Sequence, residues 1–167
     1  MPHVSVSEII PASRAEVWSV LSDIAHAGRW NKAWTRIEFT SNQTHGAGTR
    51  FRALTESGDD FEFEIATWSA PEHLEVRPLR DTGELRYPVM LESHEFRLNP
   101  SESGDETLLE LRANASAHGL KGRLIAAFIW PGHQREGLKA ALDEISEAVT
   151  GIASPVEPTG PSEPLSS

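Results

Sequence analysis

Glu92 and His94 stand two positions apart in a run that is otherwise apolar on that phase, Met90, Phe96 and Leu98. On a strand, residues two apart share a face. The spacing therefore predicts that both point to the apolar side as neighbours. A carboxylate beside an imidazole in a partly dry cavity is an acid/base pair, since each raises or holds the proton affinity of the other. Glu92 and His94 are the candidate catalytic residues. Two further readings stay open: a bulge in so long a strand would turn both outward, or His94 is a hydrogen-bonded wall residue. Arg135 is a third polar exception. It falls on the helical phase of Leu124, Phe128, Pro131, Leu138 and Leu142. A buried guanidinium needs an anion, and Glu92 or a ligand carboxylate or phenolate would serve. If Pro131 kinks the helix and rotates that phase, Arg135 reaches water instead.

Other chemistries lack their residues. The chain has no cysteine, which excludes disulfides, thiolate nucleophiles and sulfur-ligated metal. The seven histidines show no HExxH or HxxxH spacing, so no metal site is expected. Gly46-Ala47-Gly48 lacks the third glycine of a dinucleotide loop, and no cofactor is implied. With 15 Lys and Arg against 25 Asp and Glu the formal charge is −10. Such a surface repels nucleic acid and the anionic face of a membrane unless a basic stripe is segregated from it, and none is visible along the chain. No apolar run is long enough for a transmembrane helix. The start Met1-Pro2-His3-Val4 has no basic, then apolar, leader, so a cytoplasmic protein is expected.

The elements that must position these residues are legible as changes of period. His3 to Ile10 alternates as a strand. Ser13 with Glu16 three residues on forms a capping-box pattern, so a helix should start there, interrupted or ended at Gly28, with a short turn near Trp30. Period two then predicts strands over about 34–41, 48–55, 60–67, 73–80, 86–98 and 106–117. The turn-forming breaks between them, such as Ser57-Gly58-Asp59-Asp60 and Asp81-Thr82-Gly83, imply hairpins and an antiparallel meander. From Leu120 to about Gly151 the apolar spacing is helical. Pro131 should kink this helix, or two helices meet at Trp130-Pro131-Gly132.

With 167 residues there is room for one domain, read as residues 1–152. The Pro- and Ser-rich segment 153–167 reads as a disordered tail. One sheet face is apolar: Ile37 and Phe39, Phe51 and Ala53, Phe61 and Phe63, Leu74 and Val76, Leu109 and Leu111. It must face the helix. The opposite face carries Arg50, Arg52, Glu62, Glu64, Glu75, Arg77, Glu110 and Arg112, read as cross-strand ion pairs without function. Ala113, Ala115 and Ala117 leave volume on the apolar side. Phe39, Phe51, Phe63, Met90, Phe96, Trp34 and Phe128, with Arg135, are the candidate ligand-binding residues; aromatic rings stack naturally on a flat ligand.

The arrangement resembles the START and birch-pollen-allergen helix-grip superfamily (SRPBCC), and within it the polyketide cyclase/dehydrase-like group. The residues that carry the resemblance are Val6 to Ile10, Pro11-Ala12-Ser13-Arg14-Ala15-Glu16-Val17-Trp18, Leu21, Asp23, Trp30, Trp34 and Gly48-Thr49. Pro71 with Leu74 and Val76, and the final Leu138, Leu142, Ile145 helix, complete it over about residues 3–150. The resemblance implies an α+β fold: a bent seven-stranded antiparallel sheet around a long C-terminal helix, with two short helices after the first strand. It also implies a cavity between sheet and helix for a hydrophobic or aromatic small molecule. Two classes of function stay open. One is a polyketide cyclase-, aromatase- or dehydratase-like enzyme, for which positioning and proton transfer suffice. The other is a carrier of a lipid, quinone or aromatic metabolite. Either a monomer or a homodimer is compatible with the sequence.

Overall fold

The computed structural model describes residues 1–79 and 88–153. The order is β1 (His3–Ile10), α1 (Arg14–Leu21), a 3-10 helix (Ile24–Arg29), β2 (Trp34–Phe39), β3 (Arg50–Thr55), β4 (Asp60–Ser69), β5 (His73–Leu79), β6 (Val89–Pro100), β7 (Thr107–Ala117), α2 (Gly119–Phe128) and α3 (Trp130–Ala153). The seven strands form one sheet in the order β1-β7-β6-β5-β4-β3-β2. Every neighbouring pair is antiparallel. β1 and β2 thus lie on opposite edges, and α1 with the 3-10 helix carries the chain between them. The expected turn at Asp81-Thr82-Gly83 and the tail from residue 154 lie outside the described residues.

Local chemistry explains the first helix. Ser13 is its N-cap, with an extended backbone at φ −64° and ψ 157°. The Glu16 amide donates to the Ser13 hydroxyl at 3.3 Å, and the Ser13 amide donates to the Glu16 carboxylate at 2.7 Å. Two orphan donors of the first turn are thereby satisfied. Val17, Val20 and Leu21 point into the core. The helix ends at Leu21, well before Gly28. Gly28 has another reason to be glycine: a Cβ there would lie 2.8 Å from the Trp34 carbonyl oxygen.

The C-terminal helical region divides at Ile129 into two helices. Pro131 occupies the first turn of α3, where its missing amide costs no hydrogen bond. Leu138, Leu142, Ile145 and Val149 repeat at intervals of four, three and four, and all are buried. They pack α3 against β1, β7 and α1. The single helical phase expected from Leu124 onward does not survive the break. Leu124 and Phe128 are exposed, and so is Arg135. In α2 the residues that face the protein are small, Gly122 and Ala126. A Cβ on Gly122 would collide with the Pro88 carbonyl oxygen. The His118 amide donates to that same carbonyl at 2.8 Å.

Two outcomes are expected. Ser13→Ala should destabilise the fold by about 1 kcal/mol. The hydrogen bond from the Ser13 backbone holds Glu16 below the usual carboxylate range. The contribution of the box should therefore be present above that range and fade as pH falls through the lowered value. Thermal melts of both proteins across acid pH measure this. Gly122→Val should cost roughly 1–3 kcal/mol, because backbone and not a flexible side chain stands in the way. A melting temperature equal to wild type would show that α2 is not seated as described.

Candidate functional site

β6 carries a bulge that decides the site. Leu91 pairs with Ala115, Ser93 with Asn114 and His94 with Ala113, so one extra β6 residue is accommodated between Leu91 and Ser93. Ala113 and Ala115 are fully buried on the inner face. Before the bulge the inner positions are therefore Val89 and Leu91. After it they are His94, Phe96 and Leu98. Glu92 falls in the bulge and accepts a short hydrogen bond from the Ser116 hydroxyl. Ser116 alternates with Ala115 and Ala117, which places it on the outer face. The expected Glu92–His94 pair is thus divided: His94 faces inward and Glu92 outward. The bulge separates them instead of turning both. Met90 is displaced for the same reason. It pairs with Ser116, and Leu91 takes its expected inner place.

His94 lies between Val76 of β5 and Ala113 of β7. Burial among these groups pushes its pKa down to about 4, because desolvation penalises the imidazolium. Its ring has no hydrogen-bond partner among the described residues. It is therefore a neutral imidazole near pH 7, with both ring nitrogens available to a ligand.

An aromatic run continues from His94 along the inner face. Phe96 lies edge-on to Trp30 with centroids 5.6 Å apart. Trp30 and Trp34 are 5.8 Å apart. Trp34 meets Phe63 at 5.2 Å and Phe51 at 5.9 Å, and Phe51 stacks on Phe63 at 5.5 Å. Phe51 and Phe96 are buried, Trp34, Phe39 and Phe63 half-buried, and Phe61 exposed. The face is dry at its centre and open toward β2 and β4. Trp30 is 4% exposed, and its indole N–H has no acceptor among the described residues. Trp30 was absent from the candidate ligand-binding set because it sits in a loop, where period-two reasoning has no purchase.

Phe128 and Arg135 are not part of this wall. Arg135 borders an open groove of about 510 Å³ between β1 and α3, with Ser5, Ser7, Glu8, Lys139 and Asp143. No group of three or more His, Asp or Glu among the described residues is arranged to hold a metal.

The outer face is a polar lattice. Burial would raise Glu95, but hydrogen bonds from Arg97 and Asn114, and the nearby charges of Arg97 and His73, leave it below the usual carboxylate range. Arg97 donates at 2.9 Å and Asn114 at 2.7 Å. The expected ion pairs are present in a different arrangement. Arg50–Glu64 joins neighbouring strands, whereas Arg77–Glu75, Arg97–Glu95 and Arg112–Glu110 link residues two apart on one strand.

A family model described as polyketide cyclase / dehydrase and lipid transport matches residues 1–150. No curated protein matches the sequence. Among solved structures, the di-domain ARO/CYC BexL of the BE-7585A biosynthetic pathway is similar with a TM-score of 0.71 and 15% identity, over 93% of this chain and 48% of that one. The protein XoxI from Bacillus cereus gives 0.69 and 12%, over 93% and 100% of the two chains. A norcoclaurine synthase point mutant from Thalictrum flavum, bound to a transition-state analogue, gives 0.67 and 16%, over 91% and 96%. Identities this low carry the fold and not the activity. The open seven-stranded antiparallel sheet with its long C-terminal helix is the helix-grip arrangement that the sequence resembles, and the chain belongs to the polyketide cyclase/dehydrase and lipid transport family.

Proposed function

We propose that this protein binds a hydrophobic or aromatic small molecule against the inner face of the sheet, with neutral His94 as the polar contact and the Phe96–Trp30–Trp34–Phe63 run as the stacking surface. The observation that carries this reading is an imidazole with no partner among the described residues, set between Val76 and Ala113 on the inner face and followed by Phe96 and Leu98. A polar group in such a place costs stability unless something meets it, and a ligand hydroxyl or carbonyl would. The unpaired Trp30 N–H supports the same conclusion.

The family description spans cyclisation, dehydration and lipid transport. The pKa of His94 bears on the choice between them. A general base works best with a pKa near the working pH, and about 4 is well below that. Glu92, on the other face, is not placed to raise it. Binding and orientation are therefore the primary role of the site. Cyclase-like proton transfer at His94 is the second reading, and it requires a ligand whose developing charge raises the affinity of the imidazole for a proton.

Two measurements test this. A solvatochromic hydrophobic dye should bind the native protein at one site with a Kd in the micromolar range, about −8 kcal/mol. Flat aromatic compounds should displace it, and His94→Gln should weaken compounds bearing a hydroxyl or carbonyl more than the dye. Binding seen only in partly denaturing solution would overturn the reading. Proton NMR should find His94 neutral down to about pH 4. The unfolded chain takes up this proton at about 6.5. Stability should therefore fall as pH drops from about 6.5 toward 4, and His94→Gln should lose that part of the slope.

A further inference from the structure

Helix α2 turns its large apolar side chains away from the protein. Gly122 and Ala126 face inward. Leu120, Leu124 and Phe128 follow at intervals of four and are 77%, 53% and 81% exposed, with Ile129 at 66%. Lys121 and Arg123 flank this stripe and Arg135 follows it. None of the three forms an ion pair among the described residues. No Asp or Glu occurs between Glu110 and Glu136, although the chain holds 25 acidic residues. The helix is thus an apolar stripe with a basic border on a strongly acidic protein.

We propose that this face of α2 docks on an anionic lipid surface. Leu120, Leu124 and Phe128 would sit at the boundary of headgroups and acyl chains, and Lys121 and Arg123 would meet lipid phosphates. Amphipathic helices of this composition bind interfaces in that way. The charge of −10 does not prevent it. Screening limits exposed charges to about 8 Å at physiological salt, so a local basic border outweighs distant carboxylates. The same border argues against a second copy seated on this stripe, since a two-fold contact would bring Lys121 and Arg123 close to their own counterparts. Three apolar residues and a few cations make the docking reversible and salt-dependent. The inference stands independently of whether the inner face holds a ligand.

The test is flotation of the full chain with phosphatidylcholine vesicles, with and without added phosphatidylglycerol, alongside light scattering for oligomeric state. Binding is expected only to the anionic vesicles, and it should weaken as salt is raised. Leu124→Ser with Phe128→Ser should abolish it, and Lys121→Glu with Arg123→Glu should reduce it by at least about tenfold. All four side chains are exposed, so melting temperatures should stay at the wild-type value. Several results would overturn the proposal. They are no binding, equal binding to neutral and anionic vesicles, variants that bind like wild type, or a dimer that the serine variants dissociate. Binding that emerges only after deletion of 154–167 would also overturn it, by assigning the stripe to the chain's own tail.

Discussion

The one-residue irregularity between Leu91 and Ser93 governs what the interior contains. A strand alternates strictly, so an extra residue exchanges the two faces from that point on. Here it keeps Leu91 and His94 inside together and sends Glu92 and Ser93 outside. Without it, the residues inside before that point would be Met90 and Glu92, and the inner wall would carry a carboxylate. With it, the inward positions of β6 are Val89, Leu91, His94, Phe96 and Leu98, and the polar one among them, His94, is uncharged near pH 7. The aromatic run and the alanines of β7 can then remain dry, because no buried anion demands water or a counter-charge. On the other face, Ser93 and Glu95 join Asn114 in the hydrogen-bond lattice.

The second constraint is the division of the C-terminal helix. A single helix would have to keep Leu124, Phe128 and Leu138 on one phase. The break at Ile129 frees α2 to settle by close backbone approach, with Gly122 against Pro88. A helix that packs through Gly and Ala has no room inside for Leu and Phe, which therefore point outward. Of the two C-terminal helices, α3 supplies the apolar stripe that covers the sheet, on the side of β1 and β7. The half-buried rings toward β2 and β4 are left less covered, and that is where an aromatic surface is accessible. The same break takes Arg135 out of the interior and into the groove beside β1.

Net charge misleads when charges are segregated. The acidic residues are spread over the rest of the chain, whereas residues 111–135 hold no carboxylate. Counting along the chain reads the four cations of that interval as scattered. Two of them, Lys121 and Arg123, lie on α2 beside its one exposed apolar stripe.

The fold was largely written in the sequence. Period two marked the strands, the Ser13–Glu16 box marked the start of α1, and the spacing of Leu138, Leu142, Ile145 and Val149 marked the core face of α3. These are local patterns, set by backbone geometry and the cost of exposing apolar groups. The aromatic wall was legible for the same reason at Phe51, Phe63 and Phe96. What the sequence alone could not decide was phase. Glu92-Ser93-His94 interrupts the alternation with three polar residues in succession, which signals an irregularity without saying which residue is absorbed. The register against β7 decided that, because Ala113 and Ala115 must stay buried while Ser116 and Asn114 bond their partners outside. Likewise, Pro131 announced a break, but only the contact between Gly122 and Pro88 determined which side of α2 would face solvent. Each choice depends on residues distant in the chain meeting in space, and no local pattern records that meeting.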